Sequence, residues 1–264
     1  MKDFIVFHAS NAGSSAIMQI LGNVSALSIL PDEPIDDWVF VKFGWGKAMP
    51  ANDWLNIIKE IFDRPGSDDF FVKIEEIYRK YSHRDFPKFD KNRRSVGMKA
   101  RLHIQCIPET FDYLKLNSNI KTFILIRKNT TKWAFSTYRG QILQHLVLHG
   151  KVDIAEKITI DMDKFKQVKQ GRDFLSDFHH NMAILLNEAG AEAKLIYYED
   201  FLRCNQSFCE DMLRDIGMNI TPEQIGEIRK PIRLKKVHSK SICEYVENYD
   251  ELVAKFPDIE KDDF

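Results

Sequence analysis

Two segments of this chain are apolar with little or no alternation: Phe4-Ile5-Val6-Phe7, and Ile120 to Ile126, where only Lys121 and Thr122 interrupt the run. A strand with one face in water alternates apolar and polar residues, whereas a strand covered on both faces does not. Such runs belong inside a parallel sheet, whose strands must be joined by long crossovers, usually helices. The chain supplies them. Helical patterns cover Ala16 to Leu21, Asn52 to Phe62, Phe70 to Tyr81 and Pro108 to Leu116, the last with proline at its first helical position. Another follows Ile126 as far as Leu148 and closes at Gly150, with Phe135, Tyr138, Ile142 and Leu146 on one face. Phe174 to Ala189 is a further helix, stopped by Gly190, and others are expected at about 206–216 and 241–255. Val96 to Lys99 and Lys194 to Tyr198 add strands, and Ser82 to Ser95 reads as a loop. Alternating strands and helices predict one α/β domain over residues 1–264, with helices on both faces of a parallel sheet. Residues 38–95 read as an insertion that shapes a substrate pocket. Its Trp38, Phe40, Phe43, Trp45 and Trp54 can stack on a sugar or an aromatic ring.

The 38 Lys+Arg residues balance 39 Asp+Glu, a net charge of −1, which argues against a general nucleic-acid binder. The apolar run at the start stops at His8, too short for a signal-peptide core. No stretch reaches the ~18 apolar residues of a membrane span. Cys106, Cys204, Cys209 and Cys243 form no CxxC pair, so a reducing cytoplasm is the expected location. His145/His149 and His179/His180 stand beside no cysteine cluster and in no HExxH motif, so no metal site is expected.

Ligands of such a sheet bind beyond the carboxyl ends of the strands. After Phe7 the chain breaks into Asn11-Ala12-Gly13-Ser14-Ser15 and enters a helix. Small residues there let an anion approach backbone N–H groups, and the helix dipole adds partial positive charge. Neither Gly46-Lys47 nor Gly150-Lys151 completes a Walker A loop, and no GxGxxG is present. At the end of the clearest strand stand Arg127 and Lys128, with Ser136 on the following helix. Two cations and a hydroxyl can grip one phosphate together. Both groups would face the same crevice.

These residues resemble the sulfotransferases that use 3′-phosphoadenosine 5′-phosphosulfate (PAPS). Asn11-Ala12-Gly13-Ser14-Ser15 is similar to the loop that cradles the 5′-phosphosulfate in that family. Arg127 through Ser136 is similar to its 3′-phosphate element, especially in bacterial carbohydrate-type members. Asp32-Glu33-Pro34, Val96-Gly97-Met98-Lys99, Tyr198-Glu199-Asp200-Phe201 and Asn248-Tyr249-Asp250-Glu251 extend the resemblance over residues 4–45 and 96–255. It implies a P-loop-like three-layer α/β/α fold around a central parallel sheet. It also implies sulfonyl transfer from PAPS to a hydroxyl (or amine) of a small-molecule or carbohydrate acceptor, with release of adenosine 3′,5′-bisphosphate (PAP) and no metal.

The family places Lys or Arg where Asn11 stands, a cation that balances charge building on the bridging oxygen. Lys42, Lys99 and Arg101 are the candidates to replace it. Resemblance to the bacterial members makes Glu33 the first candidate for the base that takes the acceptor's proton, and Asp36 the second. His8 and His103 are rivals. Glu199 and Asp200 read as mainly structural, bracing loops or capping a helix. The basic loop from Arg233 to Lys240, with Lys236 and Lys240 as candidates, can close over the 3′-phosphate. Two other functions compete: a small-molecule kinase of related fold, which the missing Walker lysine opposes, and a non-catalytic nucleotide binder, which Asn11 favours.

Overall fold

The computed structural model describes residues 1–30, 51–62, 95–101, 107–147, 157–231 and 241–261. Glu33, Asp36, Lys42, His103, Lys236 and Lys240 lie outside them, as do the Phe70 to Tyr81 helix and most of the aromatic insertion. Five strands form one sheet: β1 (Asp3–His8), β2 (Leu27–Ile29), β3 (Ser95–Arg101), β4 (Ile120–Ile126) and β5 (Ala193–Tyr197). Their order is β2-β3-β1-β4-β5 and every pairing is parallel. The two apolar runs of the sequence are thus neighbours at the middle of the sheet, where both faces are covered. Phe4 to Phe7 and Phe123 to Ile126 are all buried.

The helices among the described residues are α1 (Ser14–Leu21), α2 (Ala51–Phe62), α3 (Ile107–Leu116), α4 (Thr130–Val147), α5 (Met162–Glu188), α6 (Tyr198–Arg203), α7 (Asn205–Asp215), α8 (Pro222–Ile228) and α9 (Tyr249–Lys255). One face of the sheet, through Ile5, Phe7, Met98, Ile124 and Ile126, packs on α2, α3 and α5. The other, through Phe4, Val6, Phe123 and Leu125, packs on α1 and α7. Each such side chain contributes on the order of 1.5–3 kcal/mol by leaving water. Gly97 in β3 is small for a packing reason: a Cβ there would lie 2.1 Å from Cζ of Phe4. The result is a mixed α/β fold with a parallel sheet between helical layers. A third apolar cluster joins α4, the start of α5 and α9 through Phe135, Phe165, Tyr245 and Leu252.

Two helices differ from expectation. α5 starts at Met162, well before Phe174, because Asp161 accepts the amides of Asp163 and Lys164 as an N-cap. The expected helix over 241–255 is divided into a 3₁₀ turn (Ile242–Glu244) and α9. Between them Val246 forms a parallel bridge with Ile158, and the Asn248 carboxamide pairs with both backbone groups of Ile160. The short β2 and α6 and the proline-led α8 are elements that periodicity did not mark.

The connections leaving β1 and β4 turn to opposite faces, since α1 packs with one layer and α5 with the other. Ligand crevices in open parallel sheets form at such a divergence, beyond the carboxyl ends of the strands. Here it falls between His8 and Ile126.

Candidate functional site

The β1–α1 loop fills one side of this crevice. The Ala12 amide closes a turn onto the Ala9 carbonyl at 3.2 Å. Asn11 then takes a left-handed conformation (φ 62°) and Gly13 another (φ 94°). Asparagine tolerates that region and glycine enters it without steric cost. At Gly13 a second constraint applies, because a Cβ would sit 2.1 Å from the Tyr198 ring. Gly13 is also the N-cap of α1 and supplies no side-chain acceptor, and the first turn of α1 carries no acidic residue. Early helical amides lack partners within their own helix, so this end is suited to an anion.

Charge arrives from β3. Lys99 is buried (5% exposed), and its Nζ donates to Ser15 Oγ at 2.7 Å. Of the cations proposed to offset Asn11, Lys99 is seen at the loop; Arg101 stands two residues further along β3, at its carboxyl end. Asn11 is exposed, with its carboxamide nitrogen 3.9 Å from where a Cβ on Gly140 would be. Ser14 is buried and Ser15 half-buried. His8 is buried, with Nδ1 3.1 Å from the Ala9 carbonyl.

Across the crevice, Arg127 leaves β4 and donates from Nη1 to Ser136 Oγ at 3.1 Å. The hydroxyl in turn donates to the Lys132 carbonyl. The guanidinium lies 4.4 Å from the centre of the Tyr198 ring, the same ring that covers Gly13. Tyr198 is therefore a shared wall between the two anion-binding groups predicted from separate motifs. Lys128, the second cation of this element, bonds Asp200 through Nζ at 2.7 Å and lies over the Tyr197 ring.

Glu199 braces this side. Its carboxylate is buried (3% exposed) and accepts the amides of Lys128 at 2.9 Å and Asn129 at 3.3 Å. Tyr198 thus meets Arg127, Glu199 the amides of Lys128 and Asn129, and Asp200 the Lys128 ammonium. That agrees with the bracing role read from the sequence, though its target was not evident there.

Two residues that sequence reading missed hold the first loop. Trp133 donates from Nε1 to the Ser10 carbonyl at 2.9 Å, and Arg172 reaches the same oxygen at 3.4 Å. Arg172 comes from α5, 162 residues along the chain from Ser10. No local pattern signals such a contact, whereas Trp133, so near the Arg127–Ser136 element, was open to notice. Among the described residues no group of three or more His, Cys, Asp or Glu is placed to hold a metal ion. Nor is any helix there long and apolar enough to cross a membrane.

No protein-family model matches the chain, and no curated protein matches it. Among solved structures it is similar to a sulfotransferase from Alicyclobacillus acidocaldarius, at 14% identity over 85% of this chain and 88% of that one, with TM-score 0.43. It is also similar to the sulfotransferase domain from the curacin biosynthetic pathway (9% identity, 92% and 82% covered, TM-score 0.41). A third is sulfotransferase STF9 from Mycobacterium avium (10% identity, 97% and 75% covered, TM-score 0.44).

Proposed function

We propose that this chain is a sulfotransferase that moves a sulfonyl group from PAPS to a hydroxyl (or amine) of a small-molecule or carbohydrate acceptor. The observation that carries the reading is the Tyr198 ring, packed on Gly13 and under Arg127. It makes one surface of an uncapped helix N-terminus and an Arg–Ser pair, two features suited to the two ends of a nucleotide that carries phosphate at both 5′ and 3′ positions.

The residues present fit that nucleotide. The first-turn amides of α1, with Ser14 and Ser15, would hold the 5′-phosphosulfate, and Arg127 with Ser136 the 3′-phosphate. PAPS supplies the activated sulfonyl group. Lys99 replaces the cation missing at Asn11 and offsets charge on the oxygen from which the sulfonyl group departs. Glu33 takes the acceptor's proton as the new O–S bond forms, with Asp36 as the second candidate. Lys236 or Lys240 closes over the 3′-phosphate.

Calorimetry with PAP, adenosine 5′-phosphate and ATP tests the binding half of the reading. Ser136→Ala and Arg127→Ala should weaken PAP by about 1.5–3 kcal/mol, the size of a charge-assisted hydrogen bond, and adenosine 5′-phosphate much less. Equal weakening of both would sink the 3′-phosphate assignment. Preference for ATP would favour the kinase, and PAP binding without transfer in an acceptor screen would favour the non-catalytic binder.

A further inference from the structure

Large apolar side chains left in water gather on one layer of this fold. Five are exposed among the described residues, and four of them stand on helices that cover the Ile5 face of the sheet. Leu116 ends α3, and Phe174, Ile184 and Leu185 lie on α5. The last three are 58%, 47% and 47% exposed. Exposed apolar residues scattered singly need no explanation, whereas a group on one element marks a binding surface. Phe165, His179, Met182 and Leu186 form the buried side of α5. Lys166, Phe174, Asn181, Ile184, Leu185 and Glu188 share the opposite side, and all are exposed. Phe174 is held there by stacking on Phe178, at 6.3 Å between ring centres, and Phe178 packs into the core.

The charges of α5 are sorted by end. Met162 to Arg172 holds Lys164, Lys166, Lys169 and Arg172 against Asp163 alone; Asp173 to Glu188 holds Asp173, Asp177 and Glu188 and no Lys or Arg. Part of this is used within the chain, since Lys169 pairs with Asp173 and Arg172 holds the Ser10 carbonyl. Lys166 and Glu188 have no ion-pair partner among the described residues. Nor does the helix gain from them: its last turn carries Glu188 and no basic residue, and a helix C-terminus disfavours an anion. A second α5 laid antiparallel would use both groups at once. It sets Lys166 of each copy toward Glu188 of the other, and Phe174 of each against Ile184 and Leu185 of the other. The first exchange is centred on residue 177 and the second on residue 179, about 3 Å apart along the helix axis. One two-fold axis therefore serves both, as a self-complementary patch requires. A parallel pair would set Lys166 against Lys166.

We infer that this face of α5 is a self-association surface whose occupant is α5 of a second copy, antiparallel across a two-fold axis near residues 177–179. The inference does not depend on the sulfotransferase reading. One helix pair buries less than the roughly 1,200 Å² at which stable interfaces begin, so the dimer is weak, with Kd of about 1–100 μM.

Sedimentation equilibrium from about 1 to 200 μM is the test. The 30.9 kDa chain should move toward twice that mass as concentration rises. Phe174→Ser and Leu185→Ser should each raise Kd about tenfold or more, as the loss of a central apolar anchor does. Lys166→Glu and Glu188→Lys each create two like-charge contacts and should raise Kd about tenfold. Both charge changes suit the helix dipole, so urea midpoints should hold or rise, separating lost association from lost folding. The two changes together in one chain should return Kd to within about threefold of wild type, and an equal mixture of the two single variants should associate as well as wild type. A chain that stays monomeric at about 200 μM overturns the inference and leaves the face to the acceptor or to a different protein. A dimer indifferent to Phe174→Ser and Leu185→Ser forms elsewhere, which also overturns it. Charge variants that the double change fails to rescue overturn the antiparallel pairing. PAP enters none of these readouts, so failure of the sulfotransferase reading leaves the test intact.

Discussion

Glu199→Gln removes one acceptor oxygen from a carboxylate that receives two backbone amides, Lys128 at 2.9 Å and Asn129 at 3.3 Å, almost out of reach of water. Glutamine can satisfy one of them through its carbonyl. The other would face an NH₂ group, donor against donor. A hydrogen bond to a charged group contributes about 1.5–3 kcal/mol, and a buried donor left unsatisfied costs about 1–3 kcal/mol. These overlap, so the expected loss is about 2–4 kcal/mol, a large part of a typical total of about 5–15 kcal/mol but not all of it. The variant should still fold. Equilibrium urea unfolding would show the loss as a lower midpoint at unchanged slope. Because Arg127 directly precedes the two amides, calorimetry should show PAP weakened more than adenosine 5′-phosphate. Asp200→Asn is the comparison: it breaks an ion pair whose side chains are 46% and 38% exposed. That change should cost about 1 kcal/mol or less. If Glu199→Gln leaves both stability and PAP affinity at wild-type values, the carboxylate does not brace Arg127 and the reasoning fails.

Three more outcomes are expected. Glu33→Gln should lower kcat by roughly 10²–10⁴-fold with PAP affinity intact, and Asp36→Asn should cost much less; the reverse order moves the base to Asp36. Lys99→Gln should lower kcat about 10²–10³-fold, the usual effect of removing one group that stabilises developing negative charge. Adding Asn11→Lys to that variant should restore part of the rate, and no recovery would separate position 11 from the departing oxygen. His179 titrates below its ordinary value near 6.5, chiefly through burial and further through the charge of His8, with the Leu175 carbonyl opposing. The unfolded chain then takes up a proton that the native state refuses, so stability is full above about pH 6.5 and falls as pH drops below it, levelling at the native pKa. His179→Gln should flatten that slope in urea midpoints measured from about pH 5 to pH 8, and an unchanged slope would assign it to other groups.

β1 and β4 were legible because burial on both faces leaves a continuous apolar run in the sequence itself. The Asn11–Ser15 loop and the Arg127–Ser136 pair were legible for a similar reason: each lies within one short stretch around a strand end. What escaped was set by partners far along the chain. The early start of α5 depends on the Asp161 cap, and the break before α9 on Ile158, Ile160 and Asn248 pairing across the third cluster. Neither leaves a periodic trace. Glu199 was readable as a brace, but its hold on the amides of residues 128 and 129 was not. Arg172 was invisible: a single arginine on a helix surface pattern carries no sign that it reaches the Ser10 carbonyl.

The shared grip of Trp133 and Arg172 on that one carbonyl bears on how this loop can be inherited or transplanted. The left-handed step at Asn11 directly follows a residue clamped from two helices, so its geometry belongs to three segments jointly. Residues 9–15 copied into another parallel sheet would arrive without their clamp and settle into some other turn. The heritable unit is the heptapeptide together with its indole and guanidinium. A lineage that exchanges Trp133 or Arg172 must re-solve the loop, while one that varies position 11 among residues at ease with positive φ can leave its frame untouched.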